Sequence, residues 1–270
     1  MSNILDALAI VFYTFAAVYF GIRFYLKKGN TQKLAVLFLQ LGFFTHAIDL
    51  FVVSMERHRF PAANFIEAFW GLTCLTVLLF LIIFRKRSME AGAVVLLPIT
   101  ILSIFLKLIF PGTEQSMEPV LTAGWIYIHI PLMILSVASL TISFLAAIMY
   151  LIQERQLKLK RPSFLLERLP SLETADDISY RSLWFGFFLL TLGIVTGMIW
   201  SKYLRGLYWN WDSKEIWALI TWGLYAILLH GRTLSAWRGR KAAYLAIVGF
   251  LLIVFTFAGV SLIFNVYHSF

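Results

Sequence analysis

The stretch S-L-W-F-G-F-F-L-L-T-L-G-I-V-T-G-M-I-W (182–200) contains nineteen consecutive residues without a charged side chain. At about 1.5 Å per residue, a helix of this length almost spans a hydrocarbon core of roughly 30 Å. The stretch lacks the period-two alternation of a membrane β-strand. It therefore predicts a membrane-spanning helix, because a helix satisfies its own backbone hydrogen bonds in lipid.

Apolar stretches of similar length recur along the chain, and we place eight of them. They cover residues 4–26, 34–55, 63–84, 91–110, 124–152, 182–200, 215–232 and 243–265. The chain of 270 residues is 60% hydrophobic and 14% charged, whereas soluble proteins are roughly 25% charged. The sequence thus predicts an all-α integral membrane protein, a bundle of about eight transmembrane helices in a single polytopic membrane domain (1–270). Soluble globular and disordered classes are excluded.

The position of the first basic residues and the number of cysteines exclude some further features. Arg23, Lys27 and Lys28 follow the apolar residues of the first span instead of preceding them, so this span is not a cleavable signal peptide. Cys74 is the single cysteine of the chain, which excludes structural disulfides and a cysteine-type zinc site.

The basic residues predict the orientation of the bundle. The loops after spans one, three, five and seven hold four, three, six and four of them, which is seventeen of the twenty-three. These seventeen are Arg23, Lys27, Lys28, Lys33, Arg85, Lys86, Arg87, Arg155, Lys158, Lys160, Arg161, Arg168, Arg181, Arg232, Arg238, Arg240 and Lys241. The positive-inside rule places these loops in the cytoplasm and both termini on the outer side. The net charge of +9 is then explained by the orientation of the chain in the lipid bilayer. It does not indicate a nucleic-acid partner, and none is predicted.

The longest inner connection, residues 153–181, carries charges of both signs together with Pro162 and Pro170. We interpret it as a solvated cytoplasmic loop with a short interfacial helix at 163–169. A docking surface for a cytoplasmic partner is the alternative interpretation.

One outer connection is rich in tryptophan. It reads W-S-K-Y-L-R-G-L-Y-W-N-W-D-S-K-E-I-W (200–217) and contains four of the nine tryptophans. An interfacial aromatic belt explains aromatic residues at a membrane boundary. A platform for a flat ligand also explains why they cluster around Gly206 and precede charged residues. The residues alone leave both interpretations open. The platform would use Trp200, Tyr208, Trp209, Trp211, Asp212 and Trp217, with Lys202, Arg205 and Lys214 for ligand carboxylates.

Four histidines lie on predicted helices or at their ends. His129 and His268 reach the same outer membrane face, whereas His46 and His230 lie inside spans two and seven. Two neutral imidazoles can ligate the iron of a planar macrocycle, so each pair is a candidate metal site. Helix packing is the alternative, and a depth difference of about 10 Å between His46 and His230 favours it for that pair. Asp49, one helical turn after His46, is a candidate acceptor that fixes the imidazole tautomer.

The segment L-Y-W-N-W-D-S-K-E-I-W-A-L-I-T-W (207–222) resembles the WWD motif of haem-handling membrane proteins. The closest resemblance is to the CcsA/ResC branch of system II cytochrome c biogenesis, with its HemX-type relatives. Further matching segments are F-P-A-A-N-F-I-E-A-F (60–69), I-H-I-P-L-M-I-L-S (128–136), Y-R-S-L-W-F-G-F-F-L-L-T-L-G-I-V-T-G-M-I-W (180–200), Y-A-I-L-L-H-G-R (225–232) and Y-H-S-F (267–270). Two departures are Leu204-Arg205-Gly206 in place of Trp-Gly, and Asp-Ser-Lys-Glu (212–215) in place of Asp-Pro-Lys-Glu.

The resemblance implies a haem-handling subunit of a cytochrome c haem lyase or synthase, multi-pass in the bacterial cytoplasmic (inner) membrane. It implies haem b as the transported or held substrate, ligated at the outer face by His129 and His268. His46 and His230 would hold haem within the membrane on its way outward. The WWD loop (200–217) would cover the ring while haem is presented to apocytochrome c for thioether attachment to a CxxCH motif. A ResB-type membrane partner is implied, and no catalytic residue is assigned.

Two other functions remain as alternatives at this stage. A HemX-type accessory or regulatory protein of haem metabolism would bind haem, or a haem enzyme, without ligation activity. A solute transporter would use the intramembrane histidines and acids as a proton relay.

Overall fold

The computed structural model describes residues 2–26, 31–62, 64–84, 90–110, 124, 126–160, 164–234 and 237–259. All regular secondary structure in these residues is helical. The α-helices are α1 (Ser2–Leu26), α2 (Thr31–Glu56), α3 (Phe65–Ile83), α4 (Glu90–Ile109), α5 (Ile126–Leu159), α6 (Leu172–Arg205), α7 (Ser213–Leu234) and α8 (Arg240–Val254). A 3-10 helix (Phe164–Glu167) precedes α6, and a π-helical turn (Phe255–Gly259) follows α8. The expected all-α fold is confirmed for the described residues.

Seven of these helices are long and apolar enough to cross a membrane, which makes the chain a multi-pass membrane protein. The seven are α1 to α6 and the segment Arg240–Phe257, which continues α8 into the π-helical turn. The seventh predicted span, 215–232, forms helix α7 but does not reach the same mean hydropathy. The polar or amphipathic side chains of Trp217, Trp222, His230 and Arg232 account for this difference. The span count of eight stays a prediction.

The first of two compact units contains α1 to α4 and the 3-10 helix. In it, α1 packs along α2 and α4, and α3 packs on α4. The rings of Tyr13, Phe20 and Trp70 are fully buried among these helices. The 3-10 helix is anchored by Phe164, whose ring stacks on Tyr25 with 5.7 Å between centroids. The expected short helix at 163–169 is thus present over Phe164–Glu167.

The second unit contains α5 to α8 and the π-helical turn. A ladder of serine side chains on α5 donates hydrogen bonds to carbonyls of the antiparallel helix α6. The pairs are Ser136 to Gly186 at 2.8 Å, Ser139 to Ser182 at 2.9 Å and Ser143 to Ser179 at 2.9 Å. Small residues let the two backbones approach, and the bonds satisfy polar groups that lipid would not. This ladder sets the register of α5 against α6.

The connection predicted at 153–181 is mostly helical. Helix α5 continues to Leu159 and α6 begins at Leu172, with Ser171 as its N-cap. Each helix has 34 residues and is therefore about 51 Å long, more than the roughly 30 Å of hydrocarbon. The charged residues extend these helices beyond the apolar stretches because they pair along the helix, as Lys158 does with Glu154 at 2.6 Å.

Candidate functional site

The imidazole of His129 is held by the backbone of α6. Its Nδ1 atom lies 2.8 Å from the carbonyl oxygen of Gly193. Because a carbonyl only accepts, Nδ1 carries the proton and donates it. In the neutral ring, Nε2 then presents a lone pair, which is the form that binds a metal. His129 lies two turns before Ser136, and Gly193 two turns after Gly186, so this bond continues the serine ladder.

Helix α6 also forms the surface on which the His129 ring rests. Gly197 has no side chain, and a Cβ there would lie 2.9 Å from Cε1 and 3.2 Å from Nδ1 of the imidazole. The Trp200 ring stacks on the imidazole with 6.2 Å between centroids and 18° between planes. Thr196 Oγ1 lies 3.4 Å from Nδ1. The stretch L-G-I-V-T-G-M-I-W (192–200) therefore positions the ring from one helix.

The connection predicted as a loop over 200–217 is a short, structured turn. Helix α6 continues to Arg205 and ends at Gly206, whose φ of 77° places it in the left-handed region that glycine favours. Helix α7 begins at Ser213, which leaves 206–212 as the turn. The side chain of Asn210 donates to Ser201 Oγ at 2.7 Å, and Ser201 Oγ donates to the carbonyl of Leu207 at 3.0 Å. These bonds fasten the turn to the end of α6.

The Asp-Ser-Lys-Glu sequence forms the cap of α7. Asp212 Oδ1 accepts from the backbone N–H of Glu215 at 2.9 Å. Glu215 Oε2 accepts from the N–H groups of Asn210 at 2.7 Å and Trp211 at 2.8 Å. This reciprocal arrangement is a variant of the capping box. Ser213 is the first helical residue, a position that also accommodates proline, so the departure from Asp-Pro-Lys-Glu leaves the cap intact.

The aromatic residues of the turn differ in exposure. Tyr208 and Trp211 are 55% and 69% exposed, whereas Trp209 is half-buried. Trp211 has a φ of 59°, which is strained for a bulky residue, and the bond from its N–H to Glu215 helps to hold it there. The ring of Trp217 packs edge-on against Phe255 with 4.7 Å between centroids. The turn therefore projects two rings outward, while Trp217 belongs to the helix packing.

Two indole N–H groups of this site are buried without an acceptor among the described residues. They belong to Trp200, which stacks on His129, and to Trp209 in the turn. A buried donor without a partner costs roughly 1–3 kcal/mol. Both groups are therefore available to a ligand that brings acceptors.

The three basic residues have different partners. Lys202 Nζ donates to the carbonyl of Gly206 at 2.6 Å and lies 5.3 Å from the centre of the Tyr208 ring. Arg205 forms an ion pair with Asp212 at 3.0 Å. Burial lowers the pKa of the Lys214 ammonium to about 8; Asp212 opposes this shift and Arg205 adds to it. The turn and the imidazole belong to one site, because Trp200 stacks on His129 and the next residue, Ser201, is bonded to the turn.

The described residues contain one member of the predicted outer histidine pair. His268 lies outside them, and its pairing with His129 stays a prediction. His230 is exposed on α7, and its backbone carbonyl accepts from Thr233 Oγ1 at 2.9 Å. It belongs to the second unit and His46 to the first, so that predicted pair also stays a prediction.

His46 is buried in the first unit. Its Nδ1 atom lies 3.4 Å from the hydroxyl of Tyr13, and its ring lies 5.4 Å from that of Trp70. Its Nε2 atom is buried without a partner among the described residues. Asp49, the expected acceptor for this imidazole, forms an ion pair with Lys107 instead. The expectation for Asp49 is wrong because the ammonium is the stronger partner for a carboxylate, and Tyr13 contacts the imidazole in its place.

These contacts test whether the site around His129 suits haem. Haem binding uses an imidazole lone pair for the iron, aromatic rings for the macrocycle and a cation for its carboxylates. The site offers the preset Nε2 lone pair, the Trp200 indole, the exposed rings of the turn and the Lys214 ammonium. Sequence reasoning missed Gly193 and Gly197, which orient His129. The G-x-x-x-G spacing that they form in 193–197 is the signal that identifies a close helix contact.

The chain resembles known proteins over most of its length. A family model described as Cytochrome C assembly protein matches residues 63–268. "Cytochrome c biogenesis protein CcsA" from Guillardia theta is 33% identical over 266 residues, covering 92% of this chain and 86% of that protein. The CcsA protein of Microcystis aeruginosa is 33% identical over 268 residues and covers 80% of each chain.

A solved structure shares the fold. "Cytochrome c Heme Lyase CcmF" superposes with a TM-score of 0.67 at 17% identity, over 95% of this chain. The match spans 46% of the length of that structure. The family match over 63–268 and the relatives at about one-third identity show the family. The chain belongs to the cytochrome c assembly proteins of the CcsA type.

Proposed function

We propose that the chain is the haem-handling membrane subunit of a system II cytochrome c synthase. It binds haem b, the substrate, at the outer membrane face and presents it to apocytochrome c. The observation that carries this proposal is the His129 imidazole, whose Nδ1 atom donates to Gly193 and whose Nε2 lone pair is thereby preset for iron.

The residues of the turn supply the remaining contacts. His268 is the second axial ligand in this proposal, and two imidazoles occupy both axial positions of the iron, which blocks oxygen chemistry there. Tyr208 and Trp211 cover the porphyrin, since flat rings pack well on a flat macrocycle. Lys214 meets a haem carboxylate, because its ammonium lies within electrostatic range of His129.

The chain promotes thioether formation by holding the haem close to the cysteine thiol. The thiol of a CxxCH cysteine adds across a haem vinyl group: a carbon–sulfur bond forms, and the thiol proton ends on the other vinyl carbon. No electrons are gained or lost in that addition. The chain contributes by fixing the position of the porphyrin ring and its vinyl edge. Holding two reactants in the right orientation lowers the activation free energy by about 7–11 kcal/mol relative to free encounter in solution. We assign no acid–base residue.

The topology and partners of the proposal follow from the charge pattern and the family. Both termini and the turn lie outside the cytoplasmic membrane of a bacterium, and the basic loops lie inside. His46 and His230 hold haem on its way outward. A ResB-type membrane protein is the partner with which the chain presents haem to CxxCH.

Absorption spectroscopy of the purified full chain tests the haem site. Protein from a haem-sufficient host shows a bis-histidine haem spectrum if the proposal is right. His129→Ala reduces the haem bound per protein at least tenfold, because it removes the preset ligand. His58→Ala is the matched control, since His58 is an exposed histidine of the connection before α3. A colourless native protein, or a His129→Ala variant that keeps its haem, contradicts the proposal.

A further inference from the structure

The first unit buries a charged cluster that the proposed haem site does not use. Lys107 Nζ of α4 contacts Asp6 Oδ2 of α1 at 2.8 Å and also pairs with Asp49 Oδ2 of α2. Asp6 and Asp49 are 1% and 0% exposed. Lys107 further contacts Ser2 Oγ at 3.1 Å and lies 3.9 Å from the centre of the Trp70 ring. Helices α1 to α4 thus meet at one ammonium.

The charges of the cluster do not balance. Two ionised carboxylates and one ammonium give a net charge of −1 in the interior of a membrane unit. An isolated charge in such surroundings costs several kcal/mol even after relaxation, so the group takes up a proton instead. One additional proton on the carboxyl pair makes the cluster neutral.

The geometry of the two carboxyl groups identifies where that proton resides. Oδ2 of Asp6 and Oδ2 of Asp49 both contact the Nζ atom of Lys107, so the two carboxyl groups lie side by side at one ammonium. Their Oδ1 atoms are buried and have no partner among the described residues. One ammonium compensates only one of two neighbouring buried carboxylates, so the pair shares one proton. We propose that Asp6, Asp49 and Lys107 form an intramembrane proton-binding site that holds one proton at neutral pH.

Among the described residues, the other titratable groups around the cluster leave this charge count unchanged. His46 from α2 and Cys74 from α3 lie within electrostatic range of it, and Tyr13 from α1 contacts His46. Each of the three is buried. Burial favours the neutral form of all three side chains. Neither the His46 imidazole nor the Cys74 thiol makes a hydrogen bond to the Asp pair in the contacts of the described residues. The proton therefore belongs to the two carboxyl groups.

A second buried acid of the same unit provides the contrast. Glu67 of α3 is 4% exposed, close to the burial of Asp6. It pairs with Arg59 at 2.9 Å and also with Arg57, so two cations face one carboxylate. Guanidinium groups keep their charge at any pH of interest, so two fixed cations face this carboxylate. The Asp6–Asp49 pair therefore differs from Glu67 in its ratio of cations to carboxylates and not in its burial.

Infrared spectroscopy of the full chain in detergent tests the site, because a protonated carboxyl group gives a C=O band distinct from that of a carboxylate. Native protein at pH 7 shows one acid band that disappears in Asp6→Asn and in Asp49→Asn, since the remaining carboxylate pairs one-to-one with Lys107. Lys107→Met raises the band to two acids per chain, because no cation is left. Glu67→Gln, the matched control, leaves the band unchanged.

Two results overturn the proposal. One is a native spectrum at pH 7 without a protonated carboxyl group, which needs no variant and so does not depend on variant folding. The other is an acid band that persists in both Asp6→Asn and Asp49→Asn, which would locate the proton elsewhere. None of these outcomes requires haem, so the experiment tests the proton site independently of the proposed function.

Discussion

Replacing Gly197 by alanine tests the positioning of His129 without touching the ligand itself. The added methyl carbon would lie 2.9 Å from Cε1 and 3.2 Å from Nδ1 of the imidazole. Carbon atoms in contact prefer about 3.5–4.0 Å, so the ring has to move by roughly 0.5–1 Å. Movement on this scale weakens the bond from Nδ1 to Gly193 and redirects Nε2.

The expected loss follows from the cost of overpacking. Extra methyl groups in a packed site cost about 1–3 kcal/mol, which corresponds to roughly a 5- to 150-fold change in an equilibrium constant. We expect Gly197→Ala to weaken haem binding by about 10- to 100-fold. Titration of haem-free protein with haem, followed by its absorption band, measures the change.

The matched control is Gly223→Ala in α7. A Cβ at Gly223 meets no atom within 4 Å, and alanine is favoured over glycine in a helix by about 1 kcal/mol. This variant binds haem as the native chain does and is at least as stable. If Gly197→Ala binds haem with native affinity while His129→Ala does not, the claim that Gly197 positions the His129 ring is refuted.

Three further predictions concern the turn and an ion pair between α6 and α7. Ser213→Pro keeps haem binding and raises the free energy of unfolding by about 0.4–1 kcal/mol, because proline suits the first position of a helix; a lower melting temperature would contradict this. The pKa of Lys214 is lowered to about 8, so its positive charge is present below pH 8 and is lost as pH rises. The affinity for haem therefore falls about tenfold between pH 7 and pH 9. Lys214→Arg, which stays charged, removes that fall. An equal loss of affinity with pH in both proteins would refute the proposal that Lys214 binds a haem carboxylate. Arg232 donates to Asp176 at 3.0 and 2.7 Å, and its side chain is 6% exposed. Arg232→Met therefore lowers the free energy of unfolding by about 1–3 kcal/mol. Arg181→Met, which removes an arginine side chain that is 75% exposed, changes it by at most about 0.5 kcal/mol; equal shifts in melting temperature for the two variants would contradict this prediction.

The helices were predictable because their signal is local. Hydrocarbon thickness fixes the length of an apolar stretch, so the first seven predicted spans coincide with helices α1 to α7. Their ends differ by a few residues, except where α5 and α6 are longer. The long extensions of α5 and α6 were missed because hydropathy detects only the part in lipid. Their continuation depends on charge pairs along the helix, such as Lys158 with Glu154.

The site was only partly predictable because its decisive contacts are between helices. The sequence predicted His129 and the tryptophans of the turn as site residues, since four of the nine tryptophans fall within 200–217. It did not identify Gly193 as the hydrogen-bond acceptor, because that contact depends on the register of α5 against α6. The partner of Lys107 was missed for the same reason: Asp6 is 101 residues away in the chain.

The most direct test of the proposed function is covalent attachment of haem to a reporter that carries one CxxCH motif. The full chain is co-expressed with a ResB-type partner, and the reporter is scored for haem that survives denaturation. We predict covalent haem with the native chain and with His58→Ala, and a loss of at least tenfold with His129→Ala. A reporter without covalent haem, produced beside a native chain that itself binds haem, would contradict the synthase role and favour the HemX-type alternative.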